Sequence, residues 1–160
     1  MAVSLDTYDQ ESGIHPRNKQ LPSKRLACSG LNVAYGLNDY PTNGPVPELL
    51  DFEPLEDSIL VDLLMDQDFN WNDTESNGFS YCCKADIDAC NAQGGQWAKV
   101  DFVENRGRAL SMVIPSCSVG LAYLWETTPV LGMEALPIYA SDRFRLPAGP
   151  WIAPVELSQK

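Results

Sequence analysis

The chain has 160 residues, 44% of them apolar, which suits one small domain or one small domain joined to a piece of another. Its 22 acidic side chains outnumber 11 basic ones and give a formal net charge of −11. That balance argues against a nucleic-acid partner, which needs clustered Lys and Arg, and against docking on an anionic membrane. No apolar run approaches the ~20 residues of a membrane helix, so no membrane span is expected.

The opening MAVSLDTYDQ carries acid within ten residues and does not read as a signal peptide. Several later features suit an extracellular setting, and the mismatch points to a chain that is part of something longer. Residues 2–5 read as a short buried strand ending at Asp6, followed by a polar loop with Gly13 and Pro16. From about Lys19 to Tyr35 the apolar spacing predicts a helix with Pro22 in its first turn and Gly36 as its stop signal. Strand, loop and helix together make a fragment of α/β architecture.

Residues 37–56 contain Pro41, Pro45, Pro47, Pro54 and Gly44 and read as a connector without regular structure. The pattern is then β-like. Candidate strands are 58–65, 99–103, 109–114 and 119–125, separated by turn signals at 105–107 and 115–118, with a further edge strand in the tail 147–154. This second part reads as a small antiparallel all-β unit.

Between Arg25 and Lys84 there is no basic residue, while eleven acids fall between Asp39 and Glu75. A solvated surface is the simplest reading. Asp66, Asp68, Asn70 and Asn72 mimic the start of an EF-hand loop, but Trp71 and Asn77 stand where such a loop needs Gly and Glu, so calcium is not expected. Four of the five cysteines, Cys82, Cys83, Cys90 and Cys117, lie in the β-like region. The alternatives are disulfides, zinc and free thiols. No CxxC knuckle is present, and disulfides fit best, with Cys90 or Cys83 reaching toward Cys117. Cys28 reads as a buried thiol in the helix. Asn72-Asp73-Thr74 is an N-glycosylation acceptor and, with the cysteines, tilts the chain toward the secretory route.

The single histidine, His15, lies in a loop between the predicted strand and helix, where α/β enzymes place chemistry. Imidazole is the usual base for activating a serine hydroxyl, and Asp6, Asp9 and Glu11 are near in sequence as orienting acids. No GxSxG or GDS-type block supplies a nucleophile.

Leu5-Asp6, the block Gly13-Ile-His-Pro-Arg-Asn-Lys-Gln20, and Leu26 through Tyr35-Gly36 resemble the carboxyl-terminal part of sialate O-acetylesterases. The resemblance runs on through Asn43-Gly-Pro45, Tyr81-Cys-Cys83, Pro115-Ser-Cys117, Leu121 to Trp125, Pro137-Ile-Tyr139 and Trp151-Ile-Ala153, and so covers nearly the whole chain. It implies the last strand, loop and helix of an SGNH-type α/β hydrolase domain over residues 1–40, then an antiparallel β-rich domain over 41–160, β-rich overall. It implies a serine esterase that removes acetyl groups from sialic acids, with no cofactor and a lysosomal or secreted, glycosylated product. Carried over by position, His15 takes the general-base role and Glu11 or Asp9 the acid role. Many enzymes of this class place Asp three residues before the histidine, where this chain has Ser12. The implied partners are an O-acetylated sialic acid or sialoglycan and the missing amino-terminal part of the hydrolase, without which the chain is expected to be inactive. The alternative is a non-catalytic accessory or carbohydrate-binding module, with Trp71, Trp97 or Trp151 stacking on sugar rings.

Overall fold

A computed structural model describes residues 2–7, 17–72, 77–92, 96–125 and 136–157. The chain divides into two compact units. One unit comprises residues 1–46, 67–76 and 126–149; the other comprises 47–66, 77–125 and 150–160.

The first unit is built on helix α1 (Gln20–Tyr35). Pro22 falls in its first turn, where a missing N–H is tolerated, and Asn18 Oδ1 accepts from the Gln20 N–H. Gly36 ends the helix at φ 68°, and it and Leu37 donate to the last free carbonyls, those of Asn32 and Leu31. The helix buries only Arg25 and Cys28, which are three residues apart and so share one face. Residues 2–4 are not a strand. No other segment among the described residues pairs with them, and extended backbone persists only where a neighbour takes its hydrogen bonds. They lead instead into a turn closed by the Thr7 N–H and hydroxyl on the Ser4 carbonyl. A two-stranded ribbon of β3 (Phe69–Trp71) and β9 (Ile138–Ala140) completes the unit. Gly44 lies so close to the Pro147 backbone that a Cβ there would meet its carbonyl oxygen at 2.1 Å.

The second unit holds two four-stranded antiparallel sheets. The first sheet has the order β1-β2-β7-β6, with β1 (Pro47–Pro54), β2 (Ser58–Met65), β6 (Val103–Arg106) and β7 (Ala109–Pro115). In β2 the pleat buries Ile59, Val61, Leu63 and Met65, and in β7 it buries Leu110, Met112 and Ile114. The second sheet has the order β10-β8-β4-β5, with β4 (Phe79–Cys82), β5 (Ala98–Lys99), β8 (Gly120–Tyr123) and β10 (Trp151–Pro154). Its middle strands are buried on both faces, with all four residues of β8 and three of the four of β4 buried. A short helix, α2 (Ile87–Asn91), is capped by Asp86, whose Oδ1 accepts from the Ala89 N–H.

The β-rich, antiparallel character thus matches the sequence reading, but two further elements differ. Residues 47–54 are a strand and not connector: its prolines stand at the two ends of an edge strand, where a missing donor costs little. The expected strand 99–103 is split into β5 and β6, which belong to different sheets. Within the stretch whose spacing mimics an EF-hand loop, Phe69–Trp71 is the strand β3, and the Asp68 carbonyl just before it is taken by the Ser141 N–H. Among the described residues no group of three His, Cys, Asp or Glu side chains could hold a metal ion.

Candidate functional site

The most elaborate polar cluster in the first unit is buried and charged. Asp6 and Arg25 are 0% and 4% exposed. Arg25 Nη1 and Nη2 donate to Asp6 Oδ1 and Oδ2 at 2.6 and 2.7 Å, a two-pronged pairing that fits a planar guanidinium to a planar carboxylate. Arg25 Nη1 also donates to the Val3 carbonyl at 2.9 Å. The Tyr139 hydroxyl, from the fully buried β9, donates to Asp6 Oδ2 at 2.5 Å and accepts from the Leu136 N–H at 3.2 Å. Burial, and then the hydrogen bond to the Asp6 carboxylate, push the Tyr139 phenol well above its ordinary value.

This cluster ties three distant stretches of chain together: the turn at 4–7, the middle of α1, and β9. Both Asp6 oxygens are engaged, so Asp6 serves as an anchor and not as a free base. It holds the chain just before the segment carrying Asp9, Glu11 and His15. Those three residues lie outside the described residues. The anchor was missed in the sequence, because no local pattern marks Arg25 as buried or ties it to Asp6.

Asn72 follows β3 and is half-buried, its Nδ2 donating to the Leu136 carbonyl at 2.9 Å. Asp73 and Thr74 of the acceptor triplet fall outside the described residues. The four cysteines of the β region form two disulfides, Cys82–Cys90 and Cys83–Cys117, which leaves none of them for zinc. Cys28 is a buried free thiol. Trp71, Trp97 and Trp151 are all half-buried. Trp97 packs over Gly120, and Trp151 stacks near Tyr123 with ring centroids 6.3 Å apart, so both serve packing.

An antiparallel, disulfide-pinned β-rich module joined to a helix anchored by a buried ion pair is the class these features define. Residues 55–155 match the family described as the sialate O-acetylesterase C-terminal domain, and the chain belongs to that family. It is 30% identical over 159 residues to the sialate O-acetylesterases of Pongo abelii and Homo sapiens, a match that covers 96% of this chain. The Mus musculus enzyme is 27% identical over 161 residues. The chain spans 28% of the length of each of these relatives. Among the described residues no helix is long and apolar enough to cross a membrane.

Proposed function

We propose that this chain is the carboxyl-terminal portion of a sialate O-acetylesterase acting by a serine–histidine mechanism. The observation that carries the reading is a family match over 96% of the chain to enzymes of that name. In this reading residues 1–40 close an SGNH hydrolase domain and 41–160 form its β-rich partner domain. Helix α1 supports the first half. It leaves Leu26 and Val33, seven residues apart and so on one face, exposed at 56 and 75%, as a helix does when its apolar side is meant for a sheet.

His15 takes the proton from a serine hydroxyl supplied outside these 160 residues. The serine oxygen attacks the acetyl carbonyl, and His15 returns the proton to the departing sugar hydroxyl. Water, deprotonated by the same imidazole, then releases acetate and restores the serine. Glu11 or Asp9 orients the imidazole. The Asp6–Arg25–Tyr139 anchor fixes the root of that segment, because a general base must be held in place to be useful. The product is a lysosomal or secreted glycoprotein with its glycan on Asn72, where one amide N–H remains for the sugar after the bond to Leu136.

The test is His15→Ala in the enzyme that carries this chain. The expected loss in kcat/KM on an O-acetylated sialoside is about a thousandfold, with unchanged circular dichroism. The 160 residues alone should show no turnover. Full activity of the His15 variant, or serine-dependent turnover by these residues alone, would overturn the proposal.

A further inference from the structure

The outward face of the first sheet in the second unit carries a cleft that the esterase reading does not use. Strand register builds it. Asp62 of β2 lies opposite Ser111 of β7, and Ser111 lies opposite Glu104 of β6, so the three side chains form one row across the sheet. Ser111 Oγ donates to Asp62 Oδ1 at 2.5 Å, and Arg106 Nη2 donates to Glu104 Oε2 at 2.6 Å. That bond holds the Glu104 carboxyl below the usual carboxylate range. Asp101 and Phe102 stand at the lip, on the connection between β5 and β6. The cleft encloses about 420 Å³, within the roughly 300–1,000 Å³ typical of small-ligand sites.

Phe102 is 72% exposed. A lone exposed phenylalanine is ordinary on a protein surface. What distinguishes this one is its place on a cleft whose other walls mix hydrogen-bonding groups with the apolar side chains of Leu60, Met112 and Val113. The charges then select the ligand. Three carboxylates repel an anion, so the cleft does not suit the carboxylate of a sialic acid. A compact cation needs acids that converge on a point. Among the described residues none do so in threes, and the guanidinium of Arg106 stands among those present. Groups spread along a cleft, with acceptors and a donor interleaved and an aromatic ring to one side, suit a flat neutral ligand rich in hydroxyls. Each hydroxyl can donate to a carboxylate and accept from Arg106.

We propose that this cleft binds neutral sugar rings, hexose or N-acetylhexosamine, with Phe102 as the stacking platform and Asp62, Asp101 and Arg106 as the hydroxyl contacts. In this assignment the aromatic platform is Phe102 and not Trp71, Trp97 or Trp151. The site is independent of His15 and stands whether or not the chain serves an esterase.

The experiment is a titration of the isotopically labelled full chain with lactose and with N-acetyllactosamine, followed by amide chemical shifts. Free N-acetylneuraminic acid and tetralysine serve as charged comparators. Saturable shifts at residues 101–106 and around Asp62 and Ser111 are expected with the neutral sugars, at millimolar affinity. Phe102→Ala should weaken binding about tenfold or more without lowering the melting temperature, and Asp101→Asn should weaken it several-fold. Absence of shifts at about 20 mM sugar overturns the proposal, as does binding that survives Phe102→Ala. A preference for N-acetylneuraminic acid or tetralysine would assign the cleft to a charged ligand and overturn it equally.

Discussion

Replacing Arg25 with methionine would leave the Asp6 carboxylate buried with, among the described residues, only the Tyr139 hydroxyl as partner. Stripping one member from a buried ion pair costs about 3–5 kcal/mol, because the remaining charge has lost both water and its counter-ion. Arg25→Met should therefore lower unfolding stability by that amount in urea titration. Tyr139→Phe removes a smaller share, about 1–2 kcal/mol, since it strands the Leu136 N–H and one lone pair of Asp6. The tyrosine also sets a pH response. Its folded value is raised above the ordinary 10.0 of the unfolded phenol, first by burial and then by Asp6. Its contribution is complete below about pH 10 and falls as pH rises from there toward the folded value. Above about pH 10 the native protein should lose stability that Tyr139→Phe does not lose. Equal pH slopes for the two proteins would show that the phenol is not coupled to folding. None of the three residues is conspicuous alone. What hid the cluster is separation, since Asp6 and Tyr139 lie 133 positions apart.

Among the elements, β4 carries the pins. Cys82 ties the strand to α2, eight residues on, while Cys83 ties it to the turn after β7, 34 residues on. Chain-entropy reasoning assigns the longer loop about 3.8 kcal/mol and the shorter about 2.5 kcal/mol. Access runs the other way: Cys82 and Cys90 are 0% and 1% exposed, whereas Cys83 and Cys117 are exposed. Mild reductant should therefore open Cys83–Cys117 first, and the species with only that bridge open should be the one that loses more stability. Alkylation and peptide mapping during a timed reduction would show the order; trapping of Cys82 or Cys90 first would contradict it. Elements with a clean period were legible: α1, β2 and β7 each follow their apolar spacing, and the edge position of β10 follows from its prolines. β1 was hidden because its prolines read as loop when their end positions could not be known. β3, β4, β9 and α2 are too short to show a period. Whether two neighbouring short strands share a sheet, as β5 and β6 do not, is decided by tertiary packing that no local pattern records.

Across the whole molecule the acid surplus is a surface property. Of the eleven acids between Asp39 and Glu75, the nine that are described are all exposed or half-buried. Sequence reasoning placed these charges correctly in solvent, but it could not see Asp62 aligned with Glu104 across β7, because that row exists only once register is set. Two effects of opposite sign act on such a surface when salt is added. Screening weakens exposed ion pairs such as Arg106–Glu104 and Arg108–Glu48, which contribute little because water already screens them. Screening also relieves the mutual repulsion behind a net charge of −11, which favours the compact state. The buried Asp6–Arg25 pair is insulated from both effects. Repulsion involves many acids with no intervening base, and the exposed pairs are few, so relief should win. Raising ionic strength from about 0.01 to 0.3 M shortens the screening length from roughly 30 Å to well under 10 Å, less than the span of the acidic stretch. The melting temperature should rise by about 2–4 °C, equivalent to ~1 kcal/mol for a chain of this size. Sodium chloride and potassium chloride should act alike, since the effect is one of ionic strength and not of a bound cation. A fall in melting temperature with salt would mean that attraction between unlike surface charges outweighs the acidic excess.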